Sequence, residues 1–282
     1  MKTVSPVHAV STFRYHSESL INENDLVAVE EPLQIKLQFH ENSKWKEIDL
    51  TITMRTPGHD IELAIGFLLA ENIIHSAGDL PIIRYCKRVK TEEKGNVIIA
   101  RLAPHVSLDI TLLDRHFLTN SSCGVCGKSV IEAISSDEKP LEPGIPLINA
   151  SQLIKLNQRI VEEQTIFKYT GGIHATALFN HSGKLILLME DVGRHNAFDK
   201  VVGAAFQAKL LPLNDYLVML SGRISFELVQ KAVRAGIPII AAVGAPSSLA
   251  VSLAKAKGLT LIGFLKPDRF NIYCGKERVV MD

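Results

Sequence analysis

The sequence predicts an α/β protein in two parts: a smaller β-rich domain of α+β character over residues 1–118, and a three-layer α/β domain over 119–282. Three observations predict it. Residues 33–54 alternate apolar and polar side chains on both sides of a polar turn. Residues 216–264 hold three short, nearly continuous apolar runs separated by helical patterns. Gly236 and Gly258 stand where those helices must stop.

In the first part, Leu33, Ile35, Leu37 and Phe39 alternate with polar residues, and so do Ile48, Leu50, Ile52 and Met54 after Glu41-Asn42-Ser43. Period two across a turn predicts a hairpin. Pro57-Gly58 opens a helix with Ile61, Ala64, Ile65, Leu68 and Leu69 on one face, fading near Asn72. Strands are expected over 82–89 and 97–102, joined at Glu93-Lys94-Gly95-Asn96. In the second part, 175–179 and 185–190 read as a hairpin, followed by a helix carrying Phe198, Val201, Val202, Ala205 and Phe206. Strands over 216–220, 238–243 and 260–264 then alternate with helices over 226–235 and 248–257, which implies a parallel sheet layered by helices. The change in character lies near residues 110–125.

Composition narrows the function. The chain has 282 residues, 46% of them hydrophobic and 22% charged, as in a globular protein. Lys plus Arg is 31 against 30 for Asp plus Glu, a balance that argues against a general nucleic-acid binder. No apolar run follows Met1-Lys2-Thr3, and none is long enough for a bilayer. A cytoplasmic protein without membrane association is therefore expected. Four cysteines in such a chain do not make a disulfide scaffold.

Two of those cysteines form Ser121-Ser122-Cys123-Gly124-Val125-Cys126-Gly127-Lys128 at the junction of the two parts. A helical stretch over 129–134 follows. A serine cap would put Cys123 near a helix start, whose partial positive charge, with Lys128, favours the thiolate. Spacing alone serves three readings equally: half of a zinc site, a redox pair, or a sulfur carrier. There is no second Cys-x-x-Cys, and Cys86 and Cys274 read as ordinary half-buried cysteines.

Ligands of open α/β sheets bind beyond the carboxyl ends of the strands. Three polar segments fall there: Ser221-Gly222-Arg223-Ile224-Ser225, Gly244-Ala245-Pro246-Ser247-Ser248, and Phe264-Leu265-Lys266-Pro267-Asp268-Arg269. Helix starts, small hydroxyls and the cations Arg223, Lys266 and Arg269 suit phosphate, and Phe264 suits a flat base. A nucleotide-like diphosphate fits these features, whereas no dinucleotide fingerprint or Walker loop is present. For any one segment, ordinary turn residues explain the composition equally well. Gly171-Gly172-Ile173-His174 and Glu190-Asp191-Val192-Gly193-Arg194-His195-Asn196 are expected to line the same cleft.

Arg55-Thr56-Pro57-Gly58-His59-Asp60, the Cys123–Cys126 segment, Gly171–His174, Glu190–Ala197, Ser221-Gly222-Arg223, Phe264–Arg269 and Asn271-Ile272-Tyr273 occur in order along the chain. Together they resemble the FdhD family of formate dehydrogenase accessory sulfurtransferases. The resemblance implies a cytidine deaminase-like C-terminal fold and a homodimer. It implies a sulfurtransferase that receives persulfide sulfur from a cysteine desulfurase. The sulfur passes to the molybdenum bis(molybdopterin guanine dinucleotide) cofactor, which formate dehydrogenase requires. Cys123 matches the assigned carrier and Cys126 the second cysteine. Phe264, Leu265, Lys266, Pro267, Asp268 and Arg269 match the cofactor-binding stretch, with Gly222 and Arg223 beside it. The family usually has Arg-Gly where this chain has Lys266-Pro267, which trades a forked donor for a point charge and removes a backbone donor. No metal of the protein's own is implied.

Two other functions compete. A zinc deaminase needs His-x-Glu before Pro-Cys-x-x-Cys. Here His174 follows the cysteines, Thr176 occupies the glutamate position, and Ser122 precedes Cys123. A chaperone that binds cofactor without transferring sulfur is also compatible with the sequence.

Overall fold

The computed structural model describes residues 5–108, 140–142 and 146–281. The expected boundary between 118 and 119, the helix expected over 129–134, and both Cys123 and Cys126 lie outside the described residues.

The described chain opens with an antiparallel ribbon of β1 (Val7–His16) and β2 (Ser19–Ala28), which pairs with no other strand among the described residues. A mixed four-stranded sheet follows in the order β4-β3-β6-β5, from β3 (Glu31–Glu41), β4 (Lys44–Arg55), β5 (Ile82–Tyr85) and β6 (Val97–Arg101). Helix α1 (Asp60–Ala70) follows β4 in the chain. Leu33, Ile35 and Leu37 are fully buried and share one core cluster with Leu63, Ala64 and Leu68 of α1. Burying each such side chain contributes about 1.5–3 kcal/mol.

The expected β3–β4 hairpin is present, with one correction. Ile35 pairs with Thr51 but Lys36 pairs with Asp49, so the ladder skips Leu50. A bulge reverses the face of everything beyond it. Ile52 and Met54 therefore point outward, at 65% and 47% exposure, although their alternation with Leu50 put them inward. The strand expected over 82–89 also ends early, at Tyr85. Tyr85 pairs with Ile98, and Cys86 donates to Val97 O, where β6 begins. Later residues have no partner on that strand.

The second part contains β7 (Ile148–Asn149), α2 (Ala150–Glu163), α3 (Thr165–Thr170), β8 (His174–Asn180), β9 (Leu185–Asp191) and α4 (Arg194–Gln207). It continues through β10 (Tyr216–Leu220), α5 (Phe226–Arg234), β11 (Ile239–Ala242), α6 (Ser248–Ala256), β12 (Thr260–Gly263), β13 (Asn271–Cys274) and β14 (Val279–Val280). Six strands form one sheet in the order β13-β12-β11-β10-β8-β9. The β10–β11–β12 centre is parallel, as its apolar runs predict, while β8, β9 and β13 pair antiparallel at the flanks.

One sheet face packs on α4, α5 and α6 through Phe198, Val201, Leu228, Val229 and Leu253. The other packs on α2 through Leu153, Leu156 and Ile160. These are the three layers. Sequence reasoning missed α2, although its signal exists. Leu153, Leu156 and Ile160 recur at helical spacing, and Asn149 with Gln152 forms a capping box.

The two sheets meet where α1 crosses α4. A Cβ on Gly66 would stand 1.9 Å from Asp199 O, and a Cβ on Gly203 would stand 1.9 Å from Glu62 O. Only glycine permits backbones this close. Polar bonds extend the contact. Thr56 N donates to Asp191 Oδ2 at 3.2 Å, Lys200 Nζ donates to Thr56 O at 2.9 Å, and Asn196 Nδ2 donates to Met54 O at 2.7 Å. Lys200 and Asp191 form an ion pair at 2.7 Å with both side chains nearly inaccessible.

Candidate functional site

The carboxyl ends of β9, β10, β11 and β12 gather at one sheet edge with the start of β8. The loops there are laced to one another. Gly244 N donates to Gly222 O at 3.2 Å, Phe264 N to Gly244 O at 3.1 Å, and Ile224 N to Ala245 O at 3.1 Å. Ser221 ties this group to β8, accepting at Oγ from Ala175 N at 2.8 Å. Close approach explains Gly244, where a Cβ would lie 2.7 Å from Gly222 O. Ser225 caps α5 by accepting from Leu228 N, and Ser247 caps α6 by accepting from Ala250 N. Two helix starts therefore open at this edge, a favourable setting for anions.

The residues expected from the sequence fall as follows. Gly222 and exposed Arg223 lie in the loop after β10, and a Cβ on Gly222 would meet His174 Nδ1 at 3.2 Å and Arg194 Cδ at 3.9 Å. Phe264 takes a left-handed backbone, φ 53°, with 43% of its surface exposed. That conformation costs an L-residue about 1–2 kcal/mol. Lys266, Pro267, Asp268 and Arg269 are exposed, and Lys266 N donates to Arg269 O at 2.8 Å. Leu265 differs: it is fully buried in the core, with its N–H given to Ala242 O, so it anchors the loop.

The segments 171–174 and 190–196 do converge here. Arg194, His195 and Arg223 all lie close enough to act on His174 electrostatically. Burial and the Arg194, His195 and Arg223 charges hold the His174 imidazole below its ordinary pKa, with Asp191 opposing. His195 Nε2 lies 3.0 Å from both Ser225 Oγ and Glu227 Oε2. That hydrogen bond keeps Glu227 below the usual carboxylate range. Arg194 Nε is buried yet meets no acceptor among the described residues. A buried charged donor without a partner costs on the order of 1–3 kcal/mol, which an anionic ligand would relieve.

Beside this cationic group lies a cavity of about 530 Å³, walled by Ile160, Phe167, Gly172, His174, Met219 and Val243. Its size and apolar lining suit a flat heterocycle. Sequence reasoning missed the α2 and α3 walls because it assigned neither helix. Glu190 supports that wall, accepting from Thr165 N, Ile166 N and Phe167 N at 3.0, 2.9 and 2.9 Å.

The Arg55–Asp60 motif proves to be structural. Arg55 Nε and Nη2 donate to Asp60 Oδ1 and Oδ2 at 3.0 and 2.9 Å, and Nη2 also reaches Asn96 Oδ1 at 2.8 Å. Cys86 and Cys274 are partly buried, and burial pushes the Cys274 thiol up. Among the described residues, no cluster of three His, Cys, Asp or Glu is placed to hold a metal ion, and no helix is long and apolar enough to cross a membrane.

The fold and the sequence both have known relatives. A solved structure of a putative formate dehydrogenase accessory protein from Desulfotalea psychrophila superposes with a TM-score of 0.73 at 23% identity, covering 98% of this chain and 100% of that one. It establishes the α/β fold. Proteins named sulfur carrier protein FdhD are similar in sequence. The one from Streptomyces avermitilis is 46% identical over 91% of this chain and 90% of its own length. Those from Mycobacterium tuberculosis and Saccharolobus solfataricus are 43% and 39% identical, over 93% and 94% of this chain and 95% of their own lengths in both cases. The sequence profile described as the FdhD/NarQ family matches residues 28–280, which include every segment of the cleft. The chain belongs to the FdhD/NarQ family.

Proposed function

We propose that this protein is a cytoplasmic sulfur carrier that serves formate dehydrogenase by delivering sulfur to molybdenum bis(molybdopterin guanine dinucleotide). The observation that carries the reading is the cleft of Arg194, Arg223 and His174, with a buried guanidinium donor unmet beside an apolar cavity. A cofactor built of phosphates and flat heterocycles complements both halves. Gly222, Arg223 and the loop of Phe264, Lys266, Pro267, Asp268 and Arg269 would hold its phosphate-bearing arm. The cofactor is cargo here.

The sulfur chemistry rests on Cys123 and Cys126. The Cys123 thiolate attacks the outer sulfur of a cysteine desulfurase persulfide. A new S–S bond forms, and the donor cysteine leaves as thiolate. Attack of the Cys126 thiolate on Cys123 Sγ then closes a disulfide and expels the outer sulfur as sulfide, which the cofactor's metal accepts. The two electrons come from the cysteine pair, and a dithiol reductant restores it.

A homodimer belongs to the same proposal. The β1–β2 ribbon exposes Phe13, Tyr15, Leu20 and Ile21 at 52–72%. A two-stranded ribbon is marginal by itself in water, and a second copy would cover these groups.

Incubating the protein with a cysteine desulfurase and cysteine, then measuring intact mass and mapping peptides, tests the carrier step. The expected result is one added sulfur on the peptide containing Cys123, lost in Cys123→Ala while the far-ultraviolet spectrum is unchanged. Equal loading of wild type and Cys123→Ala rejects the assignment. Maturation of formate dehydrogenase by a double cysteine variant would favour the chaperone reading instead.

A further inference from the structure

Helix α2 presents Asn157, Ile160 and Val161 to the cavity at the strand edge, and Gln164, at the joint of α2 and α3, continues that stripe. Gln164 N donates to Ile160 O at 2.9 Å, which holds its backbone to the last turn of α2. The residue is 3% exposed, yet its buried Nε2 meets no acceptor among the described residues. Glu190 does not supply one, because its oxygens accept from Thr165 N, Ile166 N and Phe167 N. A buried primary amide normally spends its hydrogens, and leaving a donor unmet is costly.

The rest of the wall says what would meet it. The other polar side chains lining the cavity are Asn157, His174 and Ser221, and no carboxylate lines it among the described residues. Ser221 Oγ is already taken by Ala175 N. An amino group on a bound ring therefore finds no anionic acceptor, while a ring carbonyl finds a waiting N–H. His174 borders both the cavity and Gly222, so a ring seated in the cavity leaves its substituent at the cationic loops.

We propose that Gln164 is a specificity-determining residue: its Nε2 donates to the ring carbonyl of a bicyclic lactam, a 6-oxopurine or a pterin, and selects it over the matching amino-substituted ring. The inference rests on the cofactor reading given above and adds the edge by which the heterocycle is chosen. Selection follows from burial. The carbonyl satisfies the amide, whereas an amino group in the same place leaves one donor facing another. Both ring systems share the lactam carbonyl, and the apolar walls at Ile160, Phe167, Met219 and Val243 suit either.

Isothermal calorimetry of the full chain with two matched pairs tests the assignment and tells the two sources apart. GDP is compared with 2-aminoadenosine diphosphate, and 6-hydroxymethylpterin with 2,4-diamino-6-hydroxymethylpteridine. Each pair exchanges a ring carbonyl for an amino group. The wild type is expected to bind the carbonyl member of at least one pair about tenfold or more tightly than its partner. Gln164→Leu should bring that pair to within about twofold, chiefly by weakening the carbonyl member. Its Tm without ligand should not fall, because an unmet buried donor has been removed. Equal binding within both pairs by the wild type overturns the proposal, as does a preference that survives Gln164→Leu. An unfolded or destabilised Gln164→Leu also overturns it, by giving the amide a structural role. If GDP binds and only the preference is missing, Gln164 alone is misassigned; if no heterocycle binds the wild type, the cofactor reading of the cleft falls with it.

Discussion

Arg55 and Arg194 are both guanidinium groups held within the fold, and they live in opposite surroundings. Arg55 is 1% exposed and saturated: it grips both oxygens of Asp60 and reaches Asn96. Tyr85 adds a further donor to Asp60 at 3.0 Å. Arg194 sits with His174, His195 and Arg223, and its buried Nε is unmet among the described residues. Both lie in segments that carry the family resemblance, so the motif alone does not separate them. Completeness of hydrogen bonding does. A charge whose donors are all spoken for holds a scaffold together, and one with a donor to spare is set to receive a ligand.

The contrast breaks most sharply through Arg55→Ala. It strands the buried Asp60 carboxylate and should lower unfolding free energy by about 3–5 kcal/mol, read by urea denaturation. A loss below about 1 kcal/mol would remove Arg55 from the scaffold class. Arg194→Gln should do the reverse. Unfolding should change little, while affinity for a nucleoside diphosphate should fall by about 10- to 100-fold, equivalent to one or two charge-assisted hydrogen bonds. Loss of stability without loss of affinity would place Arg194 beside Arg55.

The smallest effect concerns Asp79, another saturated group. Burial alone would raise its pKa, but the N–H groups of His75 and Ser76 and the side chain of His105 outweigh burial and bring it down to about 2. A depressed carboxylate contributes stability above its unfolded pKa of about 3.9 and loses it as pH falls through the folded value. Asp79→Asn should therefore cost on the order of 1 kcal/mol at pH 7. The gap from wild type should narrow between about pH 4 and pH 2, measured by denaturation across that range.

Much of this was legible in advance. The 216–264 run fixed its strands to within a residue or two, because buried parallel strands and capped helices leave strong local marks. The cleft loops were legible for the same reason, since strand ends in such sheets have a known role. What failed was non-local. The bulge at Leu50 depends on how β3 and β4 are registered, and no alternation within β4 reports it. The β1–β2 ribbon has apolar residues on both faces and hence no clear period. Leu265 stands inside a binding motif by position yet faces the core by backbone geometry. The saturation that distinguishes Arg55 from Arg194 exists only once residues such as Asn96 and Tyr85 arrive from elsewhere in the chain.

The crossing of Gly66 and Gly203 has a mechanical consequence. Helix α4 begins at the cleft with Arg194 and His195, and its far half is seated backbone to backbone against α1. It cannot slide along its own axis without prising two helices apart. The cationic corner of the cleft is thus an anvil, and any yielding to a ligand bound there falls to the glycine- and proline-bearing loops on the other side.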